Sequence, residues 1–259
     1  MINFTRTPAA GPAVFPPLVI AHGLFGAGRN WGGIAKRLAV GRAVIAVDMR
    51  NHGESAWQST HTYRDMAADL AEVIAATGAP MDVLGHSMGG KAAMHLALAH
   101  PDLVRRLVVA DIAPVPYAHD NSRHIAAMRS VDLSAPLART EADHQLARTV
   151  TEAPIRAFLL QSLDLRADPP RWRLNLDVLE RDMPHIVGWP DIQGRFAGQT
   201  LFLSGALSNY VLPEHRAHIL QLFPKARFAK LPDAGHWLHA DQPRAFEAAV
   251  SVFLASAER

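Results

Sequence analysis

Residues Gly85-His86-Ser87-Met88-Gly89 stand between a short apolar run, 81–84, and a helix-like stretch that ends near Ala99. A Gly-x-Ser-x-Gly turn between a strand and a helix reverses the chain so tightly that the serine hydroxyl projects alone, and only small flanking residues permit it. The same turn sets the Met88 N–H near the start of the following helix, where it can hold an oxyanion. The pentapeptide alone recurs by chance in many chains. Its position after a strand and before a helix is what gives it weight.

The rest of the chain supplies the sheet that such a turn needs. Aliphatic runs at 18–21, 43–48, 81–84, 107–111, 200–204 and 227–231 read as strands, and 31–39, 63–76, 88–99, 213–223 and 242–255 read as helices. In 63–76, for example, Met66, Leu70, Val73 and Ile74 recur at helical spacing. Strands alternating with helices predict a mostly parallel central sheet with helices on both faces, an α/β fold. Between Ala113 and Phe196 the alternation lapses into about eighty residues rich in Arg, Asp and Pro, too many for a plain loop. We expect residues 113–195 to form a helical cap inserted between strands of a core made of 1–112 and 196–259. Within it 122–129, 141–150 and 155–163 read as helices and 184–189 as a loop returning to the core.

Composition excludes several classes. With 259 residues and 49% hydrophobic content the chain can fill a core, which rules out disorder. Formal charge is +2, and the arginines are scattered (Arg6, Arg64, Arg123, Arg171, Arg244) without a run that could track phosphates, so no nucleic acid is expected. The absence of cysteine removes disulfides, thiolate catalysis and cysteine metal sites. Residues 1–15 lack the basic start and continuous apolar core of a signal peptide, and no run approaches the roughly 20 apolar residues of a membrane span. The expectation is a cytoplasmic protein with no membrane span, a monomer or else a homodimer. With no His-Glu-x-x-His and no tight His/Asp cluster, neither a metal nor a cofactor is expected.

A serine hydroxyl is protonated at neutral pH, so a nucleophilic Ser87 needs a base and an acid that orients it. His236, in Asp233-Ala234-Gly235-His236-Trp237 directly after the last strand, is the histidine with the right order and strand-end position. His86 should point away across the elbow, and His22, His52 and His239 read as structural or rim residues. The acid is contested. The loop after strand 200–204 reads Gly205-Ala206-Leu207-Ser208-Asn209-Tyr210-Val211 and holds no carboxylate; Asn209 could accept from imidazole but brings no charge. Asp111, at the end of strand 107–111, is the better candidate, because functional groups gather at the strand ends of a parallel sheet. Asp233 more simply shapes its own turn. Leu24, in His22-Gly23-Leu24-Phe25-Gly26 after the first long strand, offers the second oxyanion N–H beside that of Met88. Phe25, Trp189, Tyr210 and Trp237 are candidate pocket walls, and an apolar wall suits an acyl chain. Lys91 reads as an anchor rather than a catalyst. Arg123 and Arg173 read as solvated, with contact to an anionic group such as a CoA phosphate as the alternative.

These blocks resemble the α/β-hydrolase superfamily, and more narrowly the YbfF-type esterases and their mitochondrial abhydrolase relatives. The resemblance runs from His22-Gly23-Leu24-Phe25-Gly26 through Asp48-Met49-Arg50-Asn51-His52-Gly53-Glu54-Ser55 and the elbow to Asp111-Ile112-Ala113-Pro114-Val115. It continues with Pro184-His185-Ile186-Val187-Gly188-Trp189 and Gly235-His236-Trp237. It implies an acid at Asp111 and a serine hydrolase that cleaves carboxylic esters, with acyl thioesters such as acyl-CoA also in range, through an acyl-enzyme. The alternatives are a fold relative acting on a non-ester substrate such as a C–C bond, and a non-catalytic binding protein.

Overall fold

Strands that are apolar on both faces must be covered on both faces, and that requirement organises the molecule. In the computed structural model, which describes residues 1–78, 80–118 and 121–256, the central strands are buried throughout. The chain opens with β1 (Phe4–Thr7) and β2 (Leu18–Ala21), then a 3₁₀ turn, Gly28–Trp31, leading into α1 (Gly32–Leu38). There follow β3 (Val44–Val47), α2 (Tyr63–Ala75), β4 (Met81–His86), α3 (Met88–Ala99) and β5 (Val104–Ala110). The next segment holds α4 (Ser122–Arg129), α5 (Arg139–Leu146), α6 (Ala153–Leu159), a short antiparallel pair β6 (Leu163–Asp164) and β7 (Arg171–Trp172), α7 (Leu176–Arg181) and α8 (Met183–Val187). The chain then returns through β8 (Gln199–Gly205), α9 (His215–Leu222), β9 (Ala226–Leu231), α10 (Leu238–Asp241) and α11 (Pro243–Ala255).

Among the described residues the main sheet has seven strands in the order β1-β3-β2-β4-β5-β8-β9, parallel except for β1, which runs antiparallel to β3. Alternation along β2 divides the core. Leu18 and Ile20 pack with Trp31, Ile34, Leu38, Phe246 and Val250 of α1, α11 and their approach. Val19 and Ala21 face Met66, Leu70, Met94 and Leu96 of α2 and α3. Thr62 caps α2, its Oγ1 accepting from the Asp65 N–H at 3.2 Å.

Three local expectations need correction: first, the helix expected over 141–150 is α5 at Arg139–Leu146, and the chain turns after it. Residues 184–189 do not form a loop throughout: α8 occupies Met183–Val187, with Pro184 in its first turn, where a proline costs no hydrogen bond. Helix 155–163 is shorter at its end, since α6 stops at Leu159, a 3₁₀ turn covers Leu160–Ser162, and Leu163 begins β6. The segment from α4 to α8 stays outside the main sheet and is joined to the loops after β2 and β3 and to the start of α2 by Ser162 Oγ–H donating to Phe25 O (2.7 Å), Gly53 N–H to Arg173 O (2.9 Å) and Tyr63 O–H to Ile186 O (2.5 Å).

Candidate active site

The elbow is as tight as its glycines suggest. Ser87 has φ 53° and ψ −120°, a strained conformation for a residue with a side chain. A Cβ at Gly85 would lie 2.2 Å from Gly89 O, and one at Gly89 would lie 2.3 Å from Ala21 O. Both positions therefore have no room for a side chain, and α3 starts in direct contact with β2 and β4.

His236, in the turn after β9, stands over Ser87. Its Nε2 is 3.0 Å from Ser87 Oγ and its Nδ1 is 2.8 Å from Asp111 Oδ2. A carboxylate at Nδ1 requires that nitrogen to carry the proton, leaving Nε2 as acceptor for the serine hydroxyl. Asp111 follows β5 with φ 52° and is completely buried. Its charge is met by three donors: Gly205 N–H at 3.0 Å on Oδ1, and Ser208 Oγ–H at 2.5 Å together with His236 Nδ1–H on Oδ2. Ser208 Oγ in turn accepts from Tyr210 N–H at 3.2 Å.

Nothing in the sequence around Ser208 marks its hydroxyl as a partner for Asp111, since the loop's lack of a carboxylate is its only visible signal. Asn209, next to it, is exposed and has no hydrogen bond with His236 among the described residues. Asp233, exposed with φ 54°, belongs to the turn.

The loop after β2 lies against the elbow, since a Cβ on Gly23 would come within 3.2 Å of Ser87 Cβ. Among the described residues neither the Leu24 N–H nor the Met88 N–H has an acceptor. Two buried histidines shape this loop. His22 Nδ1–H donates to Gly23 O (2.8 Å) while its Nε2 accepts from Met49 N–H (2.9 Å). His52 Nδ1–H donates to Arg50 O (2.9 Å) while its Nε2 accepts from Phe25 N–H (3.2 Å). Both are neutral by this pattern, and burial lowers both pKa values. His61, whose Nε2 is 3.2 Å from Met88 Sδ, is pushed down to about 3 by burial and then by Arg50. His86 does turn from Ser87; its Nε2–H donates to His236 O at 2.8 Å, and burial, then His239 and His236, hold its pKa well below the ordinary value.

A cavity of about 550 Å³ opens from Ser87 between the sheet and helices α4, α6 and α8. Leu24, Phe25, Met88, Tyr210 and Trp237 line it, and the Tyr210 ring stacks on His236 with centroids 3.9 Å apart. Trp189 does not line it: its ring lies behind Tyr63, 6.4 Å between centroids, so that Tyr63 holds the wall position instead. Lys91 is an anchor, as read, its Nζ donating to Val187 O (3.0 Å) and Gly188 O (2.5 Å) above the Tyr117 ring; burial pushes its pKa down to about 7. Arg123 reaches the cavity from α4, whereas Arg173 is paired with Glu54 and, at 2.9 Å, with Asp164. Among the described residues no His, Asp or Glu group is arranged to hold a metal ion, and no helix is long and apolar enough to cross a membrane.

The arrangement is able to activate a serine, hold an oxyanion and accept an apolar group. Comparison with known proteins agrees with it. The pattern of the alpha/beta hydrolase fold family matches residues 16–187. The chain is 44% identical over 255 residues to the sn-1-specific diacylglycerol lipase ABHD11 of Mus musculus, covering 95% of this chain and 83% of that one. It is 38% identical over 242 residues to the esterase YbfF of Escherichia coli strain K12, covering 92% of each. Among solved structures, a marine microorganism esterase superposes with a TM-score of 0.91 at 37% identity, covering 97% of this chain and 98% of that one.

Proposed function

The chain belongs to the alpha/beta hydrolase fold family and is a carboxylic ester hydrolase, and from that premise we propose that Ser87, His236 and Asp111 are its nucleophile, base and acid. The observation that carries the assignment is the unbroken chain Ser87 Oγ, His236 Nε2, His236 Nδ1, Asp111 Oδ2, at 3.0 Å and 2.8 Å across its two hydrogen bonds. Ser87 Oγ attacks the acyl carbonyl as His236 Nε2 takes its proton, and Asp111 stabilises the imidazolium that forms. The N–H groups of Leu24 and Met88 receive the oxyanion, a contribution of about 3 kcal/mol per donor. His236 then returns the proton to the leaving oxygen. Water, deprotonated by the same imidazole, releases the acid from the acyl-enzyme.

Residues 113–195 act in this reading as a cap over a core of 1–112 and 196–259, because α4, α6 and α8 supply the cavity wall opposite Ser87. The substrate is a small acyl ester whose apolar part occupies that cavity; acylglycerols are the first class to examine, given the diacylglycerol lipases among the relatives, and acyl thioesters the second. A monomeric, cytoplasmic enzyme belongs to the same proposal, to be tested by light scattering and cell fractionation.

The test is hydrolysis of p-nitrophenyl esters from acetate to palmitate by wild type and Ser87→Ala, with fluorophosphonate labelling of both. The proposal expects turnover and labelling in wild type alone. Turnover by Ser87→Ala at the wild-type rate would refute the assignment, and a wild type that neither labels nor turns over would point to binding without chemistry.

A further inference from the structure

Tyr210 is set against the base more closely than a cavity wall requires. Its ring is nearly parallel to the His236 imidazole, with centroids 3.9 Å apart and 17° between the planes. The main chain that carries this ring is tied at both of its polar groups. Tyr210 N–H donates at 3.2 Å to Ser208 Oγ, the hydroxyl that also serves Asp111, and Tyr117 O–H donates to Tyr210 O at 2.7 Å. The Tyr117 ring packs beside the Tyr210 ring, 5.1 Å between centroids. The loop after β8 thus brings a hydroxyl to the carboxylate of the triad and an aromatic face to its imidazole.

An aromatic ring carries negative charge density on its faces, so it attracts a cation placed over it, most strongly where water is partly excluded. His236 is neutral while it waits on Ser87 and cationic once it has taken the serine proton. A face that holds the cation better than the neutral ring stabilises the transition state over the ground state, and only such a difference raises a rate. Building on the Ser87, His236 and Asp111 reading above, we propose that Tyr210 is a positioning residue of the reaction, whose ring fixes the plane of the His236 imidazole and stabilises the imidazolium formed during acyl transfer. Burial, followed by Asp111, raises the Tyr210 hydroxyl to about 12, so the stacked ring is an uncharged phenol. The other ionisable groups near His236 leave its effect readable. Asp111 is on Nδ1 at 2.8 Å; His86, at 4.9 Å between centroids, and His239 beside it are kept neutral chiefly by burial, His239 at about 3. Lys91 Nζ lies over the Tyr117 ring at 4.7 Å and the Tyr63 ring at 5.7 Å, and Arg123 is 3.9 Å from Glu152.

The test is the pH dependence of kcat/KM for p-nitrophenyl butyrate, from about pH 5 to pH 9, in wild type, Tyr210→Phe, Tyr210→Leu and Tyr210→Met, with return to neutral pH as the check on reversibility. On the acid side kcat/KM falls as the base of the free enzyme takes up a proton. Loss of the aromatic face disfavours the imidazolium in both settings. In Tyr210→Leu the plateau should fall roughly fivefold while the acid midpoint moves down by about 0.7 of a pH unit, so that the slower enzyme keeps its activity to lower pH. Tyr210→Phe retains the face and should retain the midpoint, whatever its lost hydroxyl does to KM. A residue that only packed or lined the cavity would change the rate without moving the midpoint. The midpoint is independent of the amount of folded enzyme, and Tyr210→Met repeats the comparison if Tyr210→Leu does not accumulate. A midpoint left at the wild-type value by Tyr210→Leu or Tyr210→Met, or moved as far by Tyr210→Phe, would overturn the proposal. A wild type without turnover, or a rate that survives His236→Ala, would instead overturn the triad reading itself.

Discussion

The neutral histidines around the elbow make a quantitative demand on stability. His52, His61 and His86 are buried, at 0%, 0% and 4% exposure, and each is held below the ordinary histidine pKa of 6.5, His61 at about 3. Below pH 6.5 the unfolded chain takes up a proton at each of these sites while the native state does not. The unfolded state then binds more protons, so stability is full above pH 6.5 and is lost progressively as pH falls from 6.5 toward the folded pKa. From pH 7.5 to pH 6.0 the loss is about 0.8 kcal/mol for each such histidine, set by the titration of the free imidazole alone. Three of them sum to about 2.4 kcal/mol, a large part of a typical total of about 5–15 kcal/mol. The assay is urea unfolding at the two pH values and constant ionic strength, with His61→Gln alongside wild type. Whatever that substitution costs at pH 7.5, its further loss at pH 6.0 should be smaller than wild type's by about 0.8 kcal/mol. A wild type equally stable at both pH values, or a His61→Gln variant with the full wild-type drop, would refute the account of these histidines as neutral structural groups.

Other expectations follow from single contacts. Asp111→Asn keeps the shape but leaves His236 without a charge partner, and kcat should fall by roughly four orders of magnitude in the p-nitrophenyl butyrate assay, with circular dichroism unchanged. Ser208→Ala removes one of three donors from a buried carboxylate and should lower unfolding stability by about 2 kcal/mol in urea titrations. Gly89→Ala would press a methyl group against Ala21 O and His22 O, at 2.3 and 2.5 Å, and should yield insoluble or inactive protein, judged by soluble expression and fluorophosphonate labelling. Lys91, 1% exposed with its pKa lowered to about 7, is protonated in the unfolded chain up to its ordinary value of 10.5. Wild type should therefore gain about 2 kcal/mol relative to Lys91→Met between pH 7 and pH 9, measured by urea midpoints.

Legibility in the sequence follows how local the physical requirement is. The elbow is readable because Gly85 and Gly89 are demanded by atoms close to them, and β2 and β3 because strands buried on both faces are apolar at every position, whereas β4 also buries Asp82, paired with Arg42 and Arg105. β1 is not legible for the opposite reason: Phe4–Thr7 is an edge strand, mostly exposed, whose Thr-Arg-Thr run carries no burial signal and which pairs only with β3 among the described residues. α8 is not legible as a helix because it is only five residues long, too short for helical periodicity to show, and its Pro184 sits in the first turn, where it breaks nothing. Trp189 suggests a pocket wall by its type alone, and its place beside Tyr63, off the cavity lining, depends on how α8 and the chain after it dock, which no local pattern encodes.

The acid of the triad joins these strands of reasoning. A carboxylate as buried as Asp111 cannot be held by an imidazole alone, because its remaining lone pairs would be stranded in a low-dielectric interior. The partners come from the loop after β8, where Gly205 supplies an N–H and Ser208 a hydroxyl. That is the same loop whose lack of a carboxylate moved the search to Asp111. The two observations have one cause: with the acid at the end of β5, the neighbouring strand end has to carry donors rather than a second negative charge. An aspartate at 208 would set a second negative charge at hydrogen-bond distance from the Asp111 carboxylate, so the missing carboxylate at 208 and the presence of Ser208 are two sides of one electrostatic requirement.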